Sequence, residues 1–166
     1  IMDEYLTDLT AINPALVSLR QATSEDLILL TASSLIPLGT GTAVPMGDHL
    51  VLTPQEINNI NTATDAYNVS IQTTATAAGL ALVDLKSILD QASTVGWTES
   101  GFVLTADLVT GGAIGLDGIH MTGRGYAALA NCFLRAIDAT YDTNFEASGN
   151  LVDIGTFPTN YSPMLQ

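Results

Sequence analysis

Cysteine occurs once in this sequence, at Cys132, so the chain can close no intramolecular disulfide and build no cysteine-rich zinc site. Basic residues are almost as scarce. Arg20, Lys86, Arg124 and Arg135 stand scattered against 17 acidic residues, giving a formal charge of −13. That balance excludes nucleic acid as a partner, because neutralising phosphates needs clustered Lys and Arg. Histidine appears only at His49 and His120, which confines imidazole acid–base chemistry to two places. No apolar run approaches the ~18–20 residues needed to span a bilayer. The opening residues lack the basic-then-apolar pattern of a signal peptide. Charged residues make up only 13% of the sequence. Together with a mean hydropathy of +0.33, this argues against a disordered chain.

What is present is apolar and helix-forming. Hydrophobic residues are 47% of 166, enough to build the core of one domain. Met2, Tyr5, Leu6, Leu9 and Ile12 share a helical stripe over 2–12, and Asn13-Pro14 ends it before a short apolar segment, Ala15 to Leu19. Leu27 to Thr31 is apolar on both faces, as a buried parallel strand is, and small residues, Ala32-Ser33-Ser34, follow it. Residues 37–49, rich in Gly and Pro, are loop. The clearest helix covers 54–78. Thr53 and Glu56 form a capping box, Pro54 occupies the first turn, and Gly79 supplies the stop. Ile57, Ile60, Thr64, Tyr67, Ile71 and Ala78 line one of its faces. Leu80 to Asp84 then reads as a second strand, completing half of a βαβ crossover. A short helix over 85–92 follows. The glycine-punctuated stretch 96–118 predicts a hairpin or irregular excursion, and Thr122 caps a helix of about 122–140. The tail after Gly149, with Pro158 and Pro163, reads as a surface strap.

The residues with chemistry in them are Asp117 and His120. They sit in a Gly-rich turn ahead of the last helix, three positions apart. There a carboxylate can fold back onto imidazole Nδ1–H, fixing the tautomer and leaving Nε2 free to take a proton from a hydroxyl nucleophile. The following helix N-terminus disfavours imidazolium, and the carboxylate offsets that. The bland reading of the pair is a turn histidine bonded locally to an aspartate.

The longer string Asp117-Gly118-Ile119-His120-Met121-Thr122-Gly123-Arg124-Gly125-Tyr126-Ala127-Ala128-Leu129-Ala130 resembles the last motif block of the SGNH (GDSL-type) hydrolases. In that family the Asp and His of this block are orienter and general base, and a helix follows. Leu27 to Ser34 is similar to the family's fourth strand. The long helix and Leu80 to Asp84 resemble its next crossover helix and fifth strand. The resemblance covers most of this chain but only the C-terminal half of the family's domain. It implies an α/β fold, a three-layer α/β/α flavodoxin-like architecture of which residues 1–166 are the C-terminal part. It also implies a serine esterase or lipase that needs no cofactor and no metal.

The family's nucleophile lies in a Gly-Asp-Ser block after its first strand, and its oxyanion hole draws on further Gly and Asn blocks. None of these occurs here. Gly47-Asp48-His49 has His in the serine position and follows the wrong strand. Only Asp117 and His120 are carried over, and no serine of this chain is assigned as nucleophile. Ser33 and Ser34 could line a pocket but read as turn residues. His49 beside Asp48 reads as a solvated polar residue. A metal site from Asp48, His49, Asp117 and His120 would require two distant loops to converge. Trp97 and Phe102 could wall an acyl pocket or form a satellite core, and Cys132 reads as a small core residue.

Two strands cannot form a covered parallel sheet, so a partner is expected. The first choice is the N-terminal half of the same hydrolase domain, as a separate or missing segment; the second is a homodimer. The opening Ile1-Met2 agrees with a start of translation further upstream. Other readings are a non-catalytic ligand-binding module and a surface structural module. The acidic, Lys-poor composition suits an exported or cell-envelope bacterial protein and a neutral ester substrate.

Overall fold

The computed structural model describes residues 1–6, 8–15 and 17–160. Two compact units divide the chain between Ser70 and Ile71. Among the described residues it mixes helices with small antiparallel sheets, which is α/β only in the general sense. Its strands form two separate antiparallel pairs.

In the first unit, β1 (Leu27–Ile28) pairs antiparallel with β2 (Val51–Leu52), Leu27 facing Leu52 and Ile28 facing Val51. Short 3-10 turns cover Leu30–Ser34, Ile36–Leu38 and Asp48–Leu50. Ala32, Met46, Leu50 and Val51 are the buried core, with Ile1 and Leu35 packed against it. The parallel strand expected over Leu27 to Thr31 is not formed. A parallel strand needs neighbours on both edges and cover on both faces. Among the described residues only β2 pairs with β1, Leu27 and Ile28 remain exposed, and the chain turns at Leu30.

The helix expected over 2–12 is also absent among its described residues, which form turns. Short polar side chains capture the backbone instead. Asp3 Oδ1 accepts from Tyr5 N–H (3.0 Å), Asp8 Oδ1 from Thr10 N–H (2.9 Å) and Asn13 Oδ1 from Ala15 N–H (3.0 Å). Such Asx turns offer the chain an alternative to the helical ladder. Asp3 is further held by Arg20 Nε at 2.5 Å, while Met2 bridges antiparallel to Leu19. Leu16, within the apolar segment Ala15 to Leu19, lies outside the described residues, as does Pro163.

The long helix α1 (Pro54–Ala78) begins in the first unit and ends in the second. Its capping box forms as the sequence predicts. Glu56 Oε2 accepts from Thr53 N–H (2.7 Å) and from Thr53 Oγ1 (2.8 Å), and Gly79 adopts φ +62° at the end. Its apolar face is largely uncovered, with Ile60, Tyr67 and Ile71 exposed.

In the second unit, the strand expected over Leu80 to Asp84 is not formed: residues 80–84 are neither helix nor strand, and Leu85 N–H turns back onto Val83 C=O at 3.1 Å. Asp84 then caps α2 (Leu85–Ser93), accepting from Ser87 N–H at 3.0 Å. A hairpin follows, β3 (Trp97–Glu99) against β4 (Phe102–Leu104), with Trp97 opposite Leu104. Ser100 and Gly101 turn it with positive φ at both positions (49° and 82°), the requirement of a type I′ connection. The last helix, α3 (Gly123–Tyr141), packs on the 3-10 turn Ile154–Thr156. Ala92, Trp97, Leu104, Ala113, Ala127, Ala128 and Ile154 form the buried cluster, and Phe102 and Cys132 pack against it. Trp97 and Phe102 are therefore core residues rather than pocket walls. Phe102 also carries the Arg124 guanidinium over its ring at 4.7 Å.

A polar network ties the hairpin to α3. Arg135 donates from both Nη atoms to the Glu99 carboxylate, at 2.7 and 3.0 Å. Ser100 Oγ (2.9 Å) and Asn131 Nδ2 (3.2 Å) also reach Glu99 Oε1. Buried Asn131 exchanges two further bonds with the Val152 backbone, at 3.0 and 2.7 Å. No helix among the described residues is long and apolar enough to cross a membrane.

Candidate active site

Residues 113–122 fold back on themselves. Ile114 bridges antiparallel to Met121, Gly115 N–H donates to His120 C=O (2.6 Å), and Thr122 N–H donates to Ala113 C=O (3.0 Å). Gly118 closes the tip with φ +71°, a left-handed conformation that suits glycine. The loop is thus a pinned finger, and Asp117 and His120 stand on its tip.

Asp117 uses both oxygens. Its Oδ1 accepts from the backbone N–H of Ile119 (3.0 Å) and of His120 (2.9 Å). Its Oδ2 lies 2.7 Å from His120 Nδ1. The imidazole, followed by the two backbone N–H groups, brings the Asp117 pKa down to about 2. The carboxylate is therefore ionised at neutral pH and can only accept, so the proton of the 2.7 Å bond belongs to Nδ1. In the neutral form of the ring this places the lone pair on Nε2. Both side chains are open to solvent, His120 at 69% and Asp117 at 51% of their full exposure.

The first turn of α3 anchors the finger from below. Thr122 Oγ1 accepts from Gly125 N–H (2.9 Å) as the helix cap and donates to Gly112 C=O (2.6 Å). Close packing here admits no larger residues. A Cβ on Gly125 would meet Ala113 O at 2.4 Å, and one on Gly111 would meet Thr105 O at 2.3 Å. Gly111-Gly112 is accordingly a tight turn against Thr105. On the far side, Arg124 N–H donates to Pro158 C=O (2.9 Å), and the Asn160 amide donates to Ile114 C=O (2.7 Å) and to Leu108 C=O.

The structure thus brings together the two residues singled out from the sequence, Asp117 and His120. Among the described residues no serine, threonine or cysteine hydroxyl or thiol bonds to His120 Nε2. Ser33 and Ser34 lie in a 3-10 turn of the first unit, as do Asp48 and exposed His49 in another. No group of three His, Cys, Asp or Glu side chains among the described residues could hold a metal ion. Asn160 and the second bond of Thr122 were not legible in advance. The partners of Asn160 lie 46 and 52 residues away along the chain, where no local pattern points to them.

Comparison with family models, with curated proteins and with solved structures finds no match for this chain.

Proposed function

We propose that this chain supplies the acid–base half of a serine ester hydrolase of the SGNH type, with His120 as general base and Asp117 as its orienter. The observation that carries the reading is the 2.7 Å Nδ1···Oδ2 bond on a carboxylate already fixed by two backbone donors. In the reaction, Nε2 takes the proton from a serine Oγ as that oxygen attacks the ester carbonyl. Imidazolium then protonates the departing alkoxide, leaving an acyl-enzyme. Water, deprotonated by the same nitrogen, attacks the acyl carbonyl, and the carboxylic acid leaves as the serine recovers its proton.

The serine comes from outside this chain, in a segment that completes an α/β/α sandwich around its strands. Exposed backbone supports a missing neighbour. Leu80 and Leu82 are solvent-exposed, and Leu82 N–H and C=O have no hydrogen-bond partner among the described residues. An unpaired apolar segment of this kind is free to take up a strand partner. A second copy of the chain is the alternative occupant. Light scattering and intact-mass measurement on the native assembly decide, and a clean 17.3 kDa monomer would sink both versions.

Activity is tested on the assembled protein with short acyl esters and a serine-reactive phosphonate. A hydrolase labels on a serine outside this chain, whereas a ligand-binding or surface module does not label. Asp117→Asn should lower turnover about 10⁴-fold while the fold survives. Equal hydrolysis after that change would remove Asp117 from its role. One cysteine and few lysines suit an exported or cell-envelope protein, which fractionation of the source cells tests.

A further inference from the structure

The tail at Pro158–Asn160 touches both flanks of the Asp117–His120 finger. At the start of α3, Pro158 C=O accepts from Arg124 N–H at 2.9 Å. Its ring lies against Gly123, where a Cβ would stand 3.1 Å from Pro158 Cδ. At the base of the finger, Asn160 Nδ2 donates to Ile114 C=O at 2.7 Å and also to Leu108 C=O. One amide therefore joins the finger to the preceding segment that holds Leu108.

The consequences reach His120 through two backbone contacts. Ile114 is the residue bridged to Met121, immediately after His120, and neighbouring Gly115 donates to the His120 carbonyl at 2.6 Å. Asp117 is in turn registered to the same backbone through the His120 N–H at 2.9 Å. A displacement of Ile114 therefore moves the histidine backbone relative to the carboxylate. Because the Nδ1 bond spans only a short, exposed turn, a shift of a few tenths of an ångström weakens it. Removing the Asn160 donor would also leave two carbonyls without it, one of them part-buried.

We propose that Asn160 is a positioning residue: its side-chain amide clamps the C-terminal strap onto the base of the finger and so holds His120 Nδ1 on Asp117. The catalytic meaning of the clamp rests on the hydrolase reading, but the clamp itself is measurable without any turnover.

The experiment records imidazole ¹⁵N–¹H spectra of the full chain, with Asp117→Ala identifying the low-field His120 Nδ1–H signal and the Nδ1–H tautomer. Asn160→Ala and the isosteric Asn160→Asp, which sets a carboxylate against two carbonyl oxygens, should both lose that signal. Ile154→Val opens a small void in the core cluster of the same unit without touching a hydrogen bond of Asn160, and serves as the stability control. It should lower Tm and keep the signal. Retention of the signal in both Asn160 variants would overturn the clamp. So would its loss in Ile154→Val, which would make the effect general destabilisation. A wild-type chain with His120 in the Nε2–H form would instead remove the pair, and the hydrolase reading with it.

Discussion

Removing the guanidinium of Arg135 should expose how much the second unit depends on one buried carboxylate. The Glu99 side chain is only 5% exposed, and Arg135 is 35% exposed. Burial opposes ionisation of Glu99, but the hydrogen bonds from Arg135, Ser100 and Asn131 outweigh it, so the carboxyl titrates below its ordinary value. In Arg135→Met the aliphatic stem is kept and both Nη donors are lost. Taking one partner from a buried pair costs about 3–5 kcal/mol. Solvent around Arg135 screens the interaction, and the hydroxyl of Ser100 and amide of Asn131 remain, so about 2–3 kcal/mol is expected here.

The pH dependence distinguishes an ionic cause from a packing one. In the wild type, the depressed pKa contributes stability that is present above the unfolded value, about 4.3, and is lost as pH falls through the folded value. In the variant burial dominates, the folded pKa rises above the unfolded one, and the sign reverses. The variant should then gain stability as pH falls from neutral towards about 4.3, so its deficit shrinks. Trp97, the sole tryptophan, is buried in this unit two positions from Glu99, so its fluorescence in urea reports the relevant transition. A deficit under about 1 kcal/mol at neutral pH, or one that is the same at pH 5, would refute the reasoning.

Two further substitutions test the core and the long helix. Ile154 is fully buried between α3 and the hairpin, and Ile154→Ala should cost about 2–4 kcal/mol by the same fluorescence assay. A loss below about 1 kcal/mol would mean that the site collapses around the smaller residue. Thr53→Ala removes the capping-box hydroxyl of α1 and should destabilise the helix by about 1 kcal/mol. Thermal melting followed by circular dichroism checks this, and an unchanged curve would show that the cap is dispensable.

The elements that could be read from the sequence are those whose signals are local. The capping box at Thr53 and the N-cap at Thr122 each depend on residues within three positions. Asp117 and His120 belong to the same class, because a turn of three residues is enough to join them. The readings that failed relied on apolar pattern alone. The stripe of Met2, Leu6 and Leu9 has helical spacing, yet Asp3, Asp8 and Asn13 divert the backbone into Asx turns. Leu27 and Ile28 look like a buried strand, but burial depends on what else is present to cover them, which no window of sequence contains. Asn160 lay beyond reach for the related reason that both of its partners are remote.

The exposure of the Asp117–His120 pair is itself an argument about its purpose. Ion pairs in open solvent contribute little to stability, since water screens them and the side chains lose freedom by meeting. Yet this pair sits on a finger held by the Ile114–Met121 bridge and the hydrogen bonds of Thr122 and Asn160. Core packing accounts for the base of the finger, where Ala113, Ile114 and Met121 join the buried cluster, but not for its tip, where Leu116 and Ile119 hold apolar side chains in solvent. The surroundings also select what can approach. Arg20, Lys86 and Arg135 are each bonded to carboxylates of this chain, and Arg124 stacks on Phe102, so little positive charge remains to attract an anion. With a net charge of −13, the field repels phosphate and anionic headgroups and leaves a neutral ester unopposed. On the proposed hydrolase reading, raising ionic strength should leave hydrolysis of a neutral ester by the assembled protein nearly unchanged. The same salt should raise kcat/KM for an anionic ester, and equal salt dependence for the two would separate the charge from the site.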